Sequence, residues 1–200
     1  YYSCSTFGSA TSAIGLVTTP AISQSAGTTW TDRGVVVSSS SSSDVNAIDP
    51  SILVDGSNVY MAYGSWHAGI GVVQINASTG KPTGTRTIVA GGNSASWEAP
   101  CLIKEGSYYY MFVNRGNCCQ GVNSTYYIVV GRSTSPFGPF VDKNGVSLTS
   151  GGGTTVLATQ GNYIGPGHLS RIVGTQKGAV HYYDGADSGN PKLEIVYFTW

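Results

Sequence analysis

Three residues stand in settings that suit proton transfer: Asp49 in Asn46-Ala-Ile-Asp49-Pro50, Glu98 in Trp97-Glu98-Ala-Pro100, and His168 in Gly165-Pro-Gly-His168. Two carboxyl groups and an imidazole gathered in one cavity can divide the work of splitting a glycosidic bond. One carboxyl must be protonated, to give its proton to the leaving oxygen, while another stays ionised. Like-charge repulsion and partial burial in a shared cavity set their pKa values apart. Each residue alone has a plainer explanation. Asp49 before a proline reads as a turn or strand cap, and His168 between glycine and leucine reads as a satisfied buried histidine. Glu98 is one of only three glutamates, and Trp97 and Pro100 beside it suggest a partly enclosed site.

An internal repeat is what would bring the three together. Residues 48–63 align without gaps on residues 98–113: Pro50 with Pro100, Asp55-Gly56-Ser57 with Glu105-Gly106-Ser107, Tyr60-Met61 with Tyr110-Met111. Each unit reads as strand, acidic-Gly-Ser hairpin turn, strand. Third strands are expected over 69–75 and 127–131, and the tail repeats the scheme more loosely over 168–173, 178–183 and 193–198. A period of about 50 residues with three or four strands per unit marks a β-propeller. A β-sandwich with a chance internal resemblance is the plainer alternative. In a propeller the first strand of each unit lines the central channel. Asp49, Glu98 and His168 all fall near the start of such a strand, in three consecutive units, and this shared place favours function over three separate plain explanations.

The same scheme makes residues 1–2 a second strand and 12–19 a third, with no first strand before them. Trp200 closes a third strand with no fourth. Four blades are therefore expected, at about 1–37, 46–92, 97–160 and 163–200 by this repeat, the outer two incomplete. A closed ring would need further sequence at both ends, because an open propeller leaves strand edges unpaired.

Composition supports the all-β reading and narrows the partners. Hydrophobic residues make up 40% of the 200, with 28 glycines and 13 tyrosines, which argues against disorder and for a turn-rich β-protein. Ten basic and ten acidic residues cancel, so neither nucleic acid nor an anionic membrane is an expected partner. No apolar run approaches the roughly 20 residues of a membrane span. The four cysteines, Cys4, Cys101, Cys118 and Cys119, include no Cys-x-x-Cys pair, so a zinc site is not expected. Sequons at Asn76 and Asn123 are glycan acceptors if the chain is secreted.

The motifs as a set resemble glycoside hydrolase family 43, and specifically its endo-α-1,5-L-arabinanases. The stretches concerned are Ser5-Thr-Phe-Gly-Ser9, Ser12-Ala-Ile-Gly-Leu16, Asn46-Ala-Ile-Asp-Pro-Ser51, Tyr63-Gly-Ser-Trp66, Trp97-Glu-Ala-Pro100, the segment from Cys118-Cys119 to Tyr126, Val130-Gly-Arg-Ser133 and Gly165-Pro-Gly-His168. They cover nearly the whole chain. The resemblance implies a five-bladed propeller, lacking here the first blade, part of the second and the end of the last. It implies a secreted, monomeric enzyme that cleaves arabinan, a pectin side chain of plant cell walls, with inversion at the anomeric carbon. By position Glu98 is the implied general acid, Asp49 the residue that tunes and orients it, and His168 the neighbour of a central-channel metal, commonly calcium. The family's general base is an aspartate in a His-Asp-Pro type motif. No such motif stands in these 200 residues, and Asp32, Asp44 and Asp184 lack that setting.

Around this core, Phe7, Trp66 and Trp97 offer aromatic faces to furanose rings, and Asn46 and Ser65 offer hydrogen bonds. Blade packing is the plainer reading of both tryptophans. Cys118 and Cys119 can form a vicinal disulfide against substrate; two free thiols, or a bridge to Cys4 or Cys101, are the alternatives. Arg132 and Arg171 are structural charges or groove residues. Two other functions fit the same motifs: a non-catalytic carbohydrate-binding propeller or inactive fragment, and an exo-acting arabinofuranosidase or xylosidase.

Overall fold

A computed structural model describes residues 1–22, 27–42, 44–92 and 95–200. Its described residues form fourteen β-strands in four antiparallel sheets, with three single-turn 3₁₀ segments and no α-helix. Among the described residues no helix is long and apolar enough to cross a membrane. The first sheet is β1 (Tyr2–Cys4), β2 (Ser12–Thr18) and β3 (Thr31–Ser39). The second is β4 (Ser51–Asp55), β5 (Asn58–Tyr63), β6 (Ile70–Ile75) and β7 (Thr87–Ala90). The third is β8 (Glu98–Glu105), β9 (Tyr108–Arg115), β10 (Tyr127–Ser133) and β11 (Thr154–Leu157). The fourth is β12 (Tyr163–Arg171), β13 (Lys177–Asp184) and β14 (Asn190–Tyr197). Each sheet is a meander, strands neighbouring in sequence order.

The repeated units are the second and third sheets. Their first hairpins close in the same register, Asp55 opposite Asn58 and Glu105 opposite Tyr108. Gly56 and Gly106 take φ of 60° and 56° at the first turn position, which a two-residue II′ turn requires and an L side chain resists. Strands β5 and β6 are buried on both faces, because a sheet packs against each side. β14 is largely exposed.

Three apolar seams join the four sheets in sequence order. Ile14, Met61, Tyr63 and Val73 fill the first, Tyr60, Ile70, Leu102 and Met111 the second, and Ile103, Phe112, Ile128 and Val180 the third. A fully buried side chain of this size stabilises by roughly 1.5–3 kcal/mol, so the seams dominate the association of sheets. Part-exposed charge pairs add less. They nonetheless repeat with the units. The acidic residue of each hairpin reaches the next sheet, Asp55 to Lys104 at 2.7 Å and Glu105 to Arg171 at 2.8 Å. Arg171 is thereby a structural charge, and Arg132 lies 4.3 Å over the Tyr108 ring.

The expected strands are found within a few residues, with one instructive difference. The first strand of the last unit begins at Tyr163, so His168 lies inside β12, within the second of two breaks in its register with β13.

Candidate functional site

One backbone feature recurs just before β4, at the head of β8 and inside β12. Asp49, Ala99 and His168 have φ of 57°, 51° and 52°, a left-handed conformation that non-glycine residues rarely adopt. Three such residues at matching places of consecutive sheets mark a site where the fold holds strained backbone. This refines the expected equivalence: Asp49 and His168 share a place, while Glu98 stands one residue before it. All three still line one cleft, of about 730 Å³.

Glu98 is held by a hydroxyl group from another segment. The buried Ser65 hydroxyl donates to Glu98 Oε2 at 2.7 Å, and the Ser65 and Glu98 backbones form a β-bridge. The next residue along, Trp66, donates its N–H to the Trp97 carbonyl at 2.8 Å. Tyr126 lines the same cleft and faces that carboxylate closely enough to feel its charge. Burial first, then the Glu98 charge, push the Tyr126 phenol well above its ordinary range, so it stays protonated beside the acid. Asp49 is half-buried, and its burial raises the carboxyl above the ordinary carboxylate value. The charge of His168 opposes the rise, the charge of Glu98 adds to it, and the dipole of the Ala99 N–H opposes it.

His168 projects an exposed ring while its backbone is anchored. Its N–H donates to Asn114 Oδ1 at 2.8 Å, and Asn114 Nδ2 donates to the carbonyls of Tyr127 (3.1 Å) and Pro166 (3.3 Å). Asn114 is 1% exposed, so a fully bonded buried amide fixes the bend that carries the imidazole. A second imidazole, His181, lines the same cleft. Burial, and then the charge of His168, holds it below its ordinary pKa.

The remaining expected residues separate into rim, wall and core. Phe7 (94% exposed) and Trp66 (37%) line the cleft and present aromatic surface to solvent. Cys118 and Cys119 are joined to each other and line another part of it, which decides between the pairings left open above. Asn46 reaches the cleft, but its buried amide bonds the Ser9 carbonyl and the Ser39 hydroxyl, both at 3.4 Å, and so holds the Phe7 loop. Trp97 is a correction. It is 2% exposed, sits in the seam between the second and third sheets, and carries Arg115 over its ring at 4.1 Å. It packs the core and offers no face to a sugar.

The chemistry available is a carboxyl hydrogen-bonded by Ser65, a second carboxyl in the same cleft, and aromatic rims around both. A model described as Glycosyl hydrolases family 43 matches residues 1–199. The chain belongs to glycosyl hydrolase family 43. It is 43% identical, over all of its length and 62% of the relative's, to the extracellular endo-alpha-(1->5)-L-arabinanase 1 of Bacillus subtilis (strain 168). It is 34% identical to the extracellular exo-alpha-(1->5)-L-arabinofuranosidase ArbA of Cellvibrio japonicus (strain Ueda107), over 100% of this chain and 63% of that one. Among solved structures, the endo-arabinanase of the same family from Bacillus licheniformis superposes with a TM-score of 0.92 and 39% identity, covering 100% of this chain and 71% of that one. The chain thus spans less than two thirds of the two sequence relatives.

For this family 43 chain the expected metal can be tested against the donors present. Among the described residues no three His, Cys, Asp or Glu side chains converge to hold an ion. Calcium takes roughly six to eight oxygen ligands, and His168 offers one nitrogen. That donor set does not by itself make a calcium site. Tyr126, Asn114 and His181 are the site residues that sequence reasoning passed over. Tyr126 lies in a stretch of the family 43 resemblance, and Asn114 is a polar residue ending an apolar run, which is the signal that would have found it.

Proposed function

We propose that the protein containing this chain hydrolyses internal α-1,5-L-arabinofuranosidic bonds of arabinan with inversion, Glu98 acting as general acid. The observation that carries the reading is the seat of Glu98: Ser65 bonds its carboxylate at 2.7 Å, while Asp49 and Tyr126 line the same cleft beside it. Such a seat fixes the direction from which a proton reaches the leaving oxygen. Asp49 orients the acid and adds a negative charge beside it. Phe7 and Trp66 flank the scissile region as apolar faces for furanose rings.

In this reading the carboxylate that activates water comes from sequence beyond these 200 residues, and the four sheets are part of a closed five-bladed ring. The protein acts outside the cell as a monomer on plant cell-wall arabinan. Support for the extracellular setting lies in the names of the two relatives.

The test is the full-length protein on linear arabinan, with products and anomeric configuration followed by NMR. Short arabino-oligosaccharides of inverted configuration are expected, and Glu98→Gln should lower the rate by roughly 10²–10⁴-fold. An undiminished rate in that variant removes Glu98 from its role. Release of arabinose alone, from chain ends, would favour the exo reading, which the 34% identical exo-arabinofuranosidase supports. Tight binding of arabino-oligosaccharides without turnover would make the protein a carbohydrate-binding module.

A further inference from the structure

Cys118 and Cys119 form a vicinal disulfide on a loop that walls the cleft. The other two cysteines, exposed Cys4 and buried Cys101, are free thiols. The loop closes on itself: the Thr125 N–H donates to the Asn117 carbonyl and the Asn117 N–H to Thr125 Oγ1, both at 3.0 Å. The next residue is Tyr126, which lines the cleft with Glu98 and faces its charge.

A second connection runs through side chains. Cys119 has φ 68°, a left-handed conformation costly for an L residue. Closure of the eight-membered ring restrains the backbone there, and the Cys119 N–H so aimed donates to the Tyr183 hydroxyl at 2.8 Å. The Tyr183 ring meets His181 edge-on with centroids 5.7 Å apart, and His181 stacks on Tyr126 at 6.0 Å. Loop and ring stack both end on the tyrosine that faces the acid across the cleft.

We propose that the Cys118–Cys119 disulfide is a positioning element for Glu98, an inference that rests on Glu98 being the general acid of the reaction proposed above. Closed, the ring holds the loop and Tyr183 so that Tyr126 stays beside the carboxylate. A dithiol reductant delivers two electrons and two protons to the S–S bond, leaving two cysteine thiols and itself becoming a disulfide. Cys119 then relaxes out of its left-handed conformation, its N–H leaves Tyr183, and Tyr126 loses a support. Glu98 keeps its bond from Ser65, so the acid is loosened rather than lost.

The experiment measures kcat and KM of the full-length protein on linear arabinan when oxidised, reduced with dithiothreitol, and reoxidised. Reduction should lower kcat roughly tenfold, inside the hundredfold that a 1 Å displacement can cost. KM should move by less than about twofold, the sign of an interaction made in the transition state. Reoxidation should restore the rate. The Cys118→Ser/Cys119→Ser double variant should sit at the reduced rate and ignore reductant. Tyr183→Phe should lower kcat and blunt the redox response, while Cys4→Ser keeps it. An unchanged kcat after thiol counting proves full reduction overturns the proposal. Hydrogen exchange of the Cys119 and Tyr126 amides separates this failure from that of the arabinan reading. Deprotection on reduction supports the clamp even in a protein inert toward arabinan, and equal exchange in both states sinks it.

Discussion

Asp49 and Ala99, the residue that follows Glu98, share a left-handed backbone conformation, and the dipole of the Ala99 N–H acts on the Asp49 carboxylate. Two acidic residues from neighbouring sheets are therefore coupled, and Asp49 bears on both the charge beside Glu98 and the peptide that follows it.

Asp49→Asn separates those two roles. Asparagine keeps a side-chain oxygen for the Ala99 N–H dipole and tolerates the left-handed φ of 57°. The fold and denaturation midpoint should survive while activity falls roughly a hundredfold, as for loss of one preorganised electrostatic group. Asp49→Ala should lose activity and also roughly 1–2 kcal/mol of stability, since alanine resists that conformation. Urea titration and kcat of the two variants check this. An asparagine variant at the wild-type rate would reduce Asp49 to a structural cap.

Gly167 tests the seat of the acid from behind. A methyl group there would run into the Tyr126 ring and lie 2.6 Å from Asn114 Nδ2. Gly167→Ala should thus push Tyr126 away from Glu98 and disturb the amide that anchors His168, without touching substrate. Overpacking of this kind costs roughly 1–3 kcal/mol. The expected outcome is a lower melting temperature together with a kcat loss that adding Tyr126→Phe does not deepen. Additive losses in the double variant would show that the two residues act independently.

The inner framework was legible in the sequence because two devices repeat there. The acid-Gly-Ser turn fixes hairpin register, and β5, β6 and β9 read as apolar runs because sheets cover both their faces. β3, β7 and β11 gave no such signal, being short or exposed, and their burial does not alternate. The convergence of Asp49, Glu98 and His168 followed from topology alone. Their close neighbours did not, since Tyr126 and Asn114 meet them only across strands and sheets. Trp97 shows the limit most plainly. An indole beside an acid reads equally well as sugar platform or as core, and only the close approach of Gly91 and Arg115 to its ring decides.

The hairpin ion pair gives the fold a pH signature. Hydrogen bonds from Lys104 and then from Tyr109 (2.5 Å) hold the Asp55 carboxyl below its ordinary value of 3.8. A depressed folded pKa means stability that is present above the unfolded value and lost as pH falls through the folded one. Asp55→Asn should therefore melt below wild type at neutral pH. The gap should close on acidification below pH 3.8, where the wild-type carboxylate takes up its proton. Melting curves of both proteins across that range check the sign. A gap that widens in acid would rule out the ion pair as its source.

The two free cysteines should differ sharply in reactivity. Cys4 is exposed on β1, whereas Cys101 lies in the seam between the third and fourth sheets. Burial pushes the Cys101 thiol up to about 11. At pH 8 only about one molecule in a thousand then carries the thiolate that reacts. Iodoacetamide at that pH should alkylate Cys4 alone in the native protein, and both residues once guanidinium opens the seam. Mass spectrometry of peptides counts the sites. Because Cys118 and Cys119 are bonded to each other, they should stay unlabelled until a reductant is added, after which both take label. Labelling of Cys101 in the native state at a rate near that of Cys4 would mean that the seam opens readily, and that Ile103, Phe112 and Val180 do not hold the third and fourth sheets together.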